Sequence, residues 1–405
     1  MAKQPKIRFK GFTEEWKEKT LGEQLIEINE KNDPKQTDFV ISLTVKDGVI
    51  PYSEKGAVGN KAKEDHSQYK LAYPNTIVLN SMNILIGAIG ICNYFGCVSP
   101  IYYVYKGAKD VDLSFVYRFM STKRFQKNLR KYGNGILEIR LKVPTEDLMN
   151  RIIATPSPEE QKEISSYFDY IDQLIVQREK EVGKMKNVRR TLLEKIFPKE
   201  GESIPQIRFK GFDKKWGVKR LGEVSDKVTR KNINRSYSET FTNSAEHGII
   251  SQRDFFDHDI TNDAHIDGYY IVDNDDFVYN PRVSTLAPVG PINRNKLGRS
   301  GVMSPLYTVF RPHDIDYGYL ESFFKGNTWH AFMKLNGNSG ARLDRFSISD
   351  NVFWTMPIHV PDDKEQQKVA RLMQLLEQTI SAWDRQVTLL KHYKQALLEQ
   401  MFIYE

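Results

Sequence analysis

The sequence predicts a mixed α/β (α+β) protein: two similar globular domains separated by two long helices forming an antiparallel coiled coil, with an internal pseudo-twofold repeat. Three observations predict it. Ile-Arg-Phe-Lys-Gly-Phe at 7–12 returns unchanged at 207–212, followed in both copies by a tryptophan (Trp16, Trp216) and by Leu-Gly-Glu at 21–23 and 221–223. A second echo, 156–197 against 361–402, carries a heptad seam. Between the echoes lie short aromatic and β-branched runs in the same order in both halves. A chain of 405 residues is long enough for roughly two to four compact domains. Internal twofold likeness suits a target that is itself twofold, of which duplex DNA is the commonest.

The expected boundaries are 1–155 for the first domain, 156–198 for a central helix, 199–360 for the second domain and 361–405 for a C-terminal helix. In the first domain, Ile77-Val78-Leu79-Asn80 reads as a strand, matched by Phe277-Val278-Tyr279-Asn280. Ser99-Pro100-Ile101-Tyr102 matches Ser304-Pro305-Leu306-Tyr307. Asp112 and Asp316 read as N-caps of helices reaching 131 and 335, each followed by a glycine-asparagine turn. These runs predict a long mixed sheet with helices.

The helices carry the clearest pattern. Ile164, Phe168, Ile171, Ile175, Val182, Met185, Leu192 and Ile196 fall at steps of four and three, with Arg178 and Arg189 on the remaining steps. The second copy repeats the register from Val369 through Met373, Leu376, Ile380, Trp383, Val387, Leu390, Lys394 and Leu397 to Met401. Ser157-Pro158-Glu159-Glu160 reads as a capping box with proline at the first helical position, and Asp362-Asp363-Lys364-Glu365 is its counterpart. Each helix is expected to run about 40 residues, about 60 Å.

Charge points to an acidic partner: net +7 and a pI near 9.0. The copies diverge in their polar loops. Asn80 to Ser99 spans 19 steps and Asn280 to Ser304 spans 24, and this second stretch carries Arg282, Arg294, Lys296 and Arg299 where the first has Asn83 and Asn93. Lys61 and Lys63 in one copy, and Arg253 in the other, lie in the segments after the leading repeats. Arginine and lysine suit guanine edges, asparagine suits adenine; solvated loops are the competing account. In this reading Arg294 and Arg299 serve one half-site only.

A second basic strip runs through Lys123, Arg124, Lys127, Arg130 and Lys131 to Asn134 and Arg140, matched by Lys334, Asn338, Arg342 and Arg345. Cations beside a glycine turn suit phosphate. Arg178, Trp383 and Tyr393 are candidates for contacting a partner protein.

Catalytic constellations are absent from the motif pattern: there is no Gly-x-x-x-x-Gly-Lys run, no His-Glu-x-x-His and no Gly-x-Ser-x-Gly. Asn280-Pro281-Arg282 reads as a strand ending in a turn. Cys92 and Cys97 are the only cysteines, read as half-buried thiols, which excludes a four-cysteine zinc site. No apolar signal core opens the chain and the longest apolar run, 84–92, is about half a membrane span, so a cytoplasmic protein is expected.

The doubled openings, the Pro-x-x-x-Glu-Gln starts at 156–161 and 361–366, and the long helices after them resemble the specificity subunit of type I restriction-modification systems. The resemblance covers essentially the entire chain. It implies two target recognition domains, each reading one half of a bipartite, asymmetric double-stranded DNA sequence, with the helices as the ruler between halves. It also implies a non-catalytic chain with no cofactor of its own, two modification subunits that use S-adenosylmethionine, and restriction subunits that use ATP and Mg. The alternative reading is a stand-alone DNA-binding regulator or architectural protein.

Overall fold

The computed structural model describes residues 4–32, 36–55, 65–133, 142–255, 263–339 and 344–404. It divides into two compact units: Met1–Glu179 with Arg385–Glu405, and Lys180–Asp384. Each unit takes part of both long helices.

The first unit contains β1 (Lys17–Thr20), α1 (Leu21–Gln24), β2 (Leu25–Ile28), β3 (Ile41–Thr44), β4 (Gly48–Pro51), β5 (Lys70–Ala72), β6 (Thr76–Leu79), β7 (Ile89–Cys92), β8 (Gly96–Val98) and β9 (Tyr103–Gly107). Then come α2 (Leu113–Met120), α3 (Lys123–Leu129), α4 (Thr145–Met149), β10 (Ile152–Thr155) and the start of α5 (Pro158–Lys195). Its main sheet is antiparallel with order β2-β9-β6-β7, and β1 pairs with β10 from Lys17↔Thr155 to Thr20↔Ile152.

The second unit repeats this with β11 (Gly217–Arg220), β12 (Ser225–Lys227), β13 (Phe241–Ser244), β14 (Gly248–Ser251), α6 (Gln252–Phe255), β15 (Tyr270–Val272), β16 (Phe277–Tyr279), β17 (Ile292–Arg294), β18 (Gly301–Met303) and β19 (Thr308–Pro312). It continues through α7 (Tyr317–Lys325), α8 (Thr328–Asn336), β20 (Asn338–Ser339), β21 (Phe346–Ser347), α9 (Asp350–Phe353), β22 (Pro357–Val360) and the start of α10 (Asp363–Gln400). The order β12-β19-β16-β17 is the first unit's order, and β11 pairs with β22 as β1 does with β10. First and last strands of each domain therefore meet, and the chain leaves that pair directly into a long helix.

Two expectations need correction. The named strands pair antiparallel in short sheets, with parallel pairing among the described residues at the isolated bridges Val40↔Cys97 and Thr240↔Val302, rather than forming one long mixed sheet. The single helices expected to reach 131 and 335 are each broken in two. Thr122, fully buried, donates to Phe119 O (2.8 Å) and accepts from Phe125 N (3.3 Å), ending one helix and capping the next; Gly326 ends α7. The expected caps Asp112 and Asp316 do accept from Phe115 N (2.9 Å) and Tyr319 N (2.8 Å).

Most of the seam is buried, whereas Met185, Leu192, Trp383 and Leu390 are half-buried and Leu193 takes the buried place beside Leu192. Ile164, Phe168, Ile171 and Ile175 of α5 pack in the first unit's core with Leu397 and Met401 of α10; in the second, Val369, Met373 and Leu376 pack with Leu193 and Ile196. Within the first unit Lys394 binds Asp172 (2.5 Å) and Lys391 binds Glu179 (2.7 Å), so positions fall on α10 as they rise on α5. Within the second, Lys186 binds Asp384 (2.8 Å) and Arg189 binds Glu377 (2.6 Å), in the same antiparallel sense. The seam cations Arg189 and Lys394 thus fix register, since each has its acid on the facing helix.

The repeated opening motif is a clamp. Arg8 donates from Nε and Nη2 to both carboxylate oxygens of Glu160 (2.7 Å each), and Arg208 does the same to Glu365 (2.8 and 2.9 Å). Both carboxylates are 1% exposed. The bonds to them push both guanidinium groups above the usual arginine value. The adjacent glutamine ties the helix start to the domain: Gln161 Oε1 accepts from Asp112 N (3.0 Å) and Gln366 Oε1 from Asp316 N (2.9 Å). The capping box is therefore only half formed. Ser157 accepts from Glu160 N (3.3 Å), while the Glu160 carboxylate serves Arg8 rather than returning to the cap.

Candidate nucleic-acid interface

In the first unit the basic strip lies on α3 and the turn after it. Lys123, Arg124, Lys127, Arg130 and Lys131 are all exposed, because Phe125 and Leu129 take the buried face of this short helix. Arg124 lies over the Tyr404 ring (4.9 Å), which leaves the lysines as the freer cations. Asn93 is exposed in the turn between β7 and β8; Asn83 is half-buried, its backbone tied to Asn80 and Ala88. Lys61, Lys63, Asn134 and Arg140 lie outside the described residues.

The second unit divides its cations. Arg294, 22% exposed, donates from Nε to Asp275 (2.7 Å) and lies 3.7 Å from Glu321; Lys296 binds Glu321 (2.9 Å). Arg299 forms a bidentate pair with Glu239 (2.7 Å twice), whose carboxyl is held below its usual range mainly by that bond. The structure thus puts Arg294 and Arg299 in pairs that brace β17 and the neighbouring loop, a role the sequence reading did not foresee. Exposed pairs are worth about 0–1 kcal/mol, so Lys296 and Arg299 can exchange partners cheaply, whereas the more enclosed Arg294 cannot. Arg282, Arg253, Lys334 and Asn338 are exposed and Arg345 is half-buried beside Arg282 across an antiparallel bridge. Arg342 lies outside the described residues.

Both domains build the loop beside these cations in one way. Asn80 Oδ1 accepts from Met82 N and Asn280 Oδ1 from Arg282 N (3.0 Å each), so the strand ends in the expected turn. In the second domain Asn280 and Asn293 also bond to Asn243, fastening the β13–β14 hairpin to the loop (2.8 and 2.7 Å). No single spacing in the sequence signals this network.

His330 on α8 packs edge-on against Trp329, and burial, reinforced by Lys334, lowers its pKa to about 4. The unfolded ring, near 6.5, takes up its proton first as the pH falls. Stability contributed by the neutral ring is complete above 6.5 and is lost between 6.5 and 4, at no more than about 1.4 kcal/mol per pH unit. Denaturant titrations at pH 7 and 4.5 are expected to show a smaller loss for His330→Gln than for the parent; equal losses would contradict the assignment.

The partner candidates sit on the helices. Tyr393 is 48% exposed, its hydroxyl bonded to that of Tyr167 (2.8 Å); Trp383 and Arg178 are half-buried. The first unit fills the space between α2 and α5 with Arg118, paired with Asp169 and Asp172. Ser322 stands at the matching position in the second unit and lines a cleft of about 990 Å³ with Glu377 and Lys325.

Cys92 and Cys97 are fully buried rather than half-buried, and burial pushes the Cys97 thiol up to about 11. Among the described residues no cluster of three His, Cys, Asp or Glu could hold a metal ion, and no helix is long and apolar enough to cross a membrane.

Residues 13–184 match the family model of the type I restriction modification DNA specificity domain. The fold is similar to a chain solved in work on complex assembly and conformational transition of the type I R-M system, with a TM-score of 0.54 at 15% identity over 96% of this chain and 98% of that one. It is also similar to the type I restriction-modification S subunit from M. genitalium, with a TM-score of 0.54 at 13% identity over 99% and 100%. No curated protein matches the sequence.

Proposed function

We propose that this chain, whose residues 13–184 match the type I restriction modification DNA specificity domain, is a specificity subunit in which each of the two domains reads one half of a bipartite, asymmetric DNA target. As a specificity subunit it is a recognition component and not a catalytic one. One observation carries the bipartite reading: the two domains share strand order, clamp and helix start, yet differ in the loops that bear their exposed polar residues. A common frame with different reading loops is what two different half-sites require.

The α5 and α10 segments set the unread spacer in this reading. They also dock two modification subunits through exposed residues such as Tyr170, Val176, Leu389 and Tyr393. S-adenosylmethionine belongs to those subunits, and ATP with Mg to restriction subunits that join them. The free lysines of α3 and the arginines near β21 meet phosphate, which positions each domain without specifying sequence.

Co-expression with the host's type I modification subunit in cells lacking methylation, followed by mapping of every methylated base, tests the reading. One new asymmetric motif with two short half-sites around a fixed gap is the expected result. A soluble complex that methylates nothing, together with tight DNA binding by the chain alone, would favour a stand-alone DNA-binding protein.

A further inference from the structure

We propose that the loops following β6 and β16 each present one aliphatic side chain, Ile86 and Leu286, to the DNA major groove as an apolar base contact that helps define each half-site; this rests on the recognition reading above. The two residues stand at the same step, six after the asparagine that ends the strand. Ile86 is 53% and Leu286 69% exposed. A single exposed aliphatic residue is ordinary. Here two occur at the same step of loops that differ in length and composition.

Neither side chain is on a slack loop. Ser81 O accepts from Val143 N (3.2 Å) and Pro281 O from Phe346 N (2.7 Å), so both loops are fastened at the same point to the segment that follows the basic turn. Inside them Ile84 and Val289 are fully buried anchors. In the second domain Ser284 and Ala287 exchange both backbone hydrogen bonds (3.0 and 3.1 Å), which leaves Thr285 and Leu286 as the tip of a two-residue turn. Gly290, at φ +83°, returns the chain so closely that a Cβ there would lie 2.1 Å from Asn280 O. Pre-ordering of this kind removes most of the entropy cost of placing an apolar group on a ligand.

The surroundings select the ligand. Exposed Lys142 adjoins Val143, which is bonded to the loop in one domain, and Arg282 and Arg345 are bridged at the base of the loop in the other; among the described residues none of the three is held by an acid. An aliphatic tip on a loop whose base carries cations matches a groove edge, where phosphates flank the bases. The apolar feature within reach there is the 5-methyl group of thymine.

The test uses the complex of this chain with its modification subunits on duplexes carrying the mapped target. Leu286→Ala is expected to weaken target binding roughly tenfold or more, to relax only the half-site read by the second domain, and to leave non-specific binding and the salt slope unchanged. Ile86→Ala is expected to do the same for the other half. Deoxyuridine in place of thymine in the affected half is expected to reproduce the loss with the unaltered protein. Leu286→Met, which keeps an apolar tip, is expected to retain the motif. An unchanged motif in both alanine variants, equal loss on non-specific DNA, or indifference to every deoxyuridine would overturn the inference. If the unaltered complex itself recognises no motif, the recognition reading fails instead.

Discussion

Glu365→Ala is expected to destabilise the second domain by about 3–5 kcal/mol, the cost of removing one partner from a buried ion pair. The Glu365 carboxylate accepts from Arg208 Nε and Nη2 and also from Trp216 Nε1 (3.0 Å). Truncation leaves an indole N–H without its acceptor and a guanidinium group, only 12% exposed, that keeps its bond to Lys214 O (2.6 Å) but loses its counter-charge. A melting temperature lower by on the order of 10 °C follows for a unit of this size. Calorimetry of the variant beside Lys364→Ala, an exposed neighbour, measures it. Replacing both Arg208 and Glu365 with apolar residues is expected to cost less than Glu365→Ala alone, because no charge is then stranded. A fall of under about 1 kcal/mol in Glu365→Ala would mean that the repeated opening motif is not a clamp.

Inserting one helical turn, four residues, into both helices within 174–188 and 379–393 is expected to lengthen the unread spacer by one or two base pairs. Four residues add about 6 Å along a helix, against about 3.4 Å for each base pair. Both helices must be lengthened because the antiparallel ion pairs of each unit, Lys394 to Asp172 and Arg189 to Glu377, fix where one helix faces the other. The half-sites themselves should not change, since no loop is touched. Mapping methylated bases reads the spacer directly, and an unaltered spacer would remove the ruler role.

Local and periodic features were legible in the sequence. The seam was visible because burial on a helix repeats every three or four residues, and Ile164, Phe168, Val369 and Met373 are buried as that period requires. Strands β6 and β16 were visible as matching β-branched and aromatic runs. What escaped was non-local. Arg8 and Glu160 are 152 residues apart and Arg208 and Glu365 are 157 apart, so the repeated motif could be seen without its purpose. The same limit hid the acids that occupy Arg294 and Arg299. The exposure of Ile86 and Leu286 escaped because an apolar residue in a short run reads as core until its neighbours in space are known.

If each domain reads its half-site independently of the other, exchanging one domain changes one half-site alone. A chain in which residues 217–360 are replaced by a second copy of 17–155, exchanged at the paired strands that close each domain, is co-expressed with the modification subunit and its methylated bases are mapped. The expected target contains the first domain's half-site twice, with the second half-site gone. Retention of the original asymmetric motif would contradict independent reading.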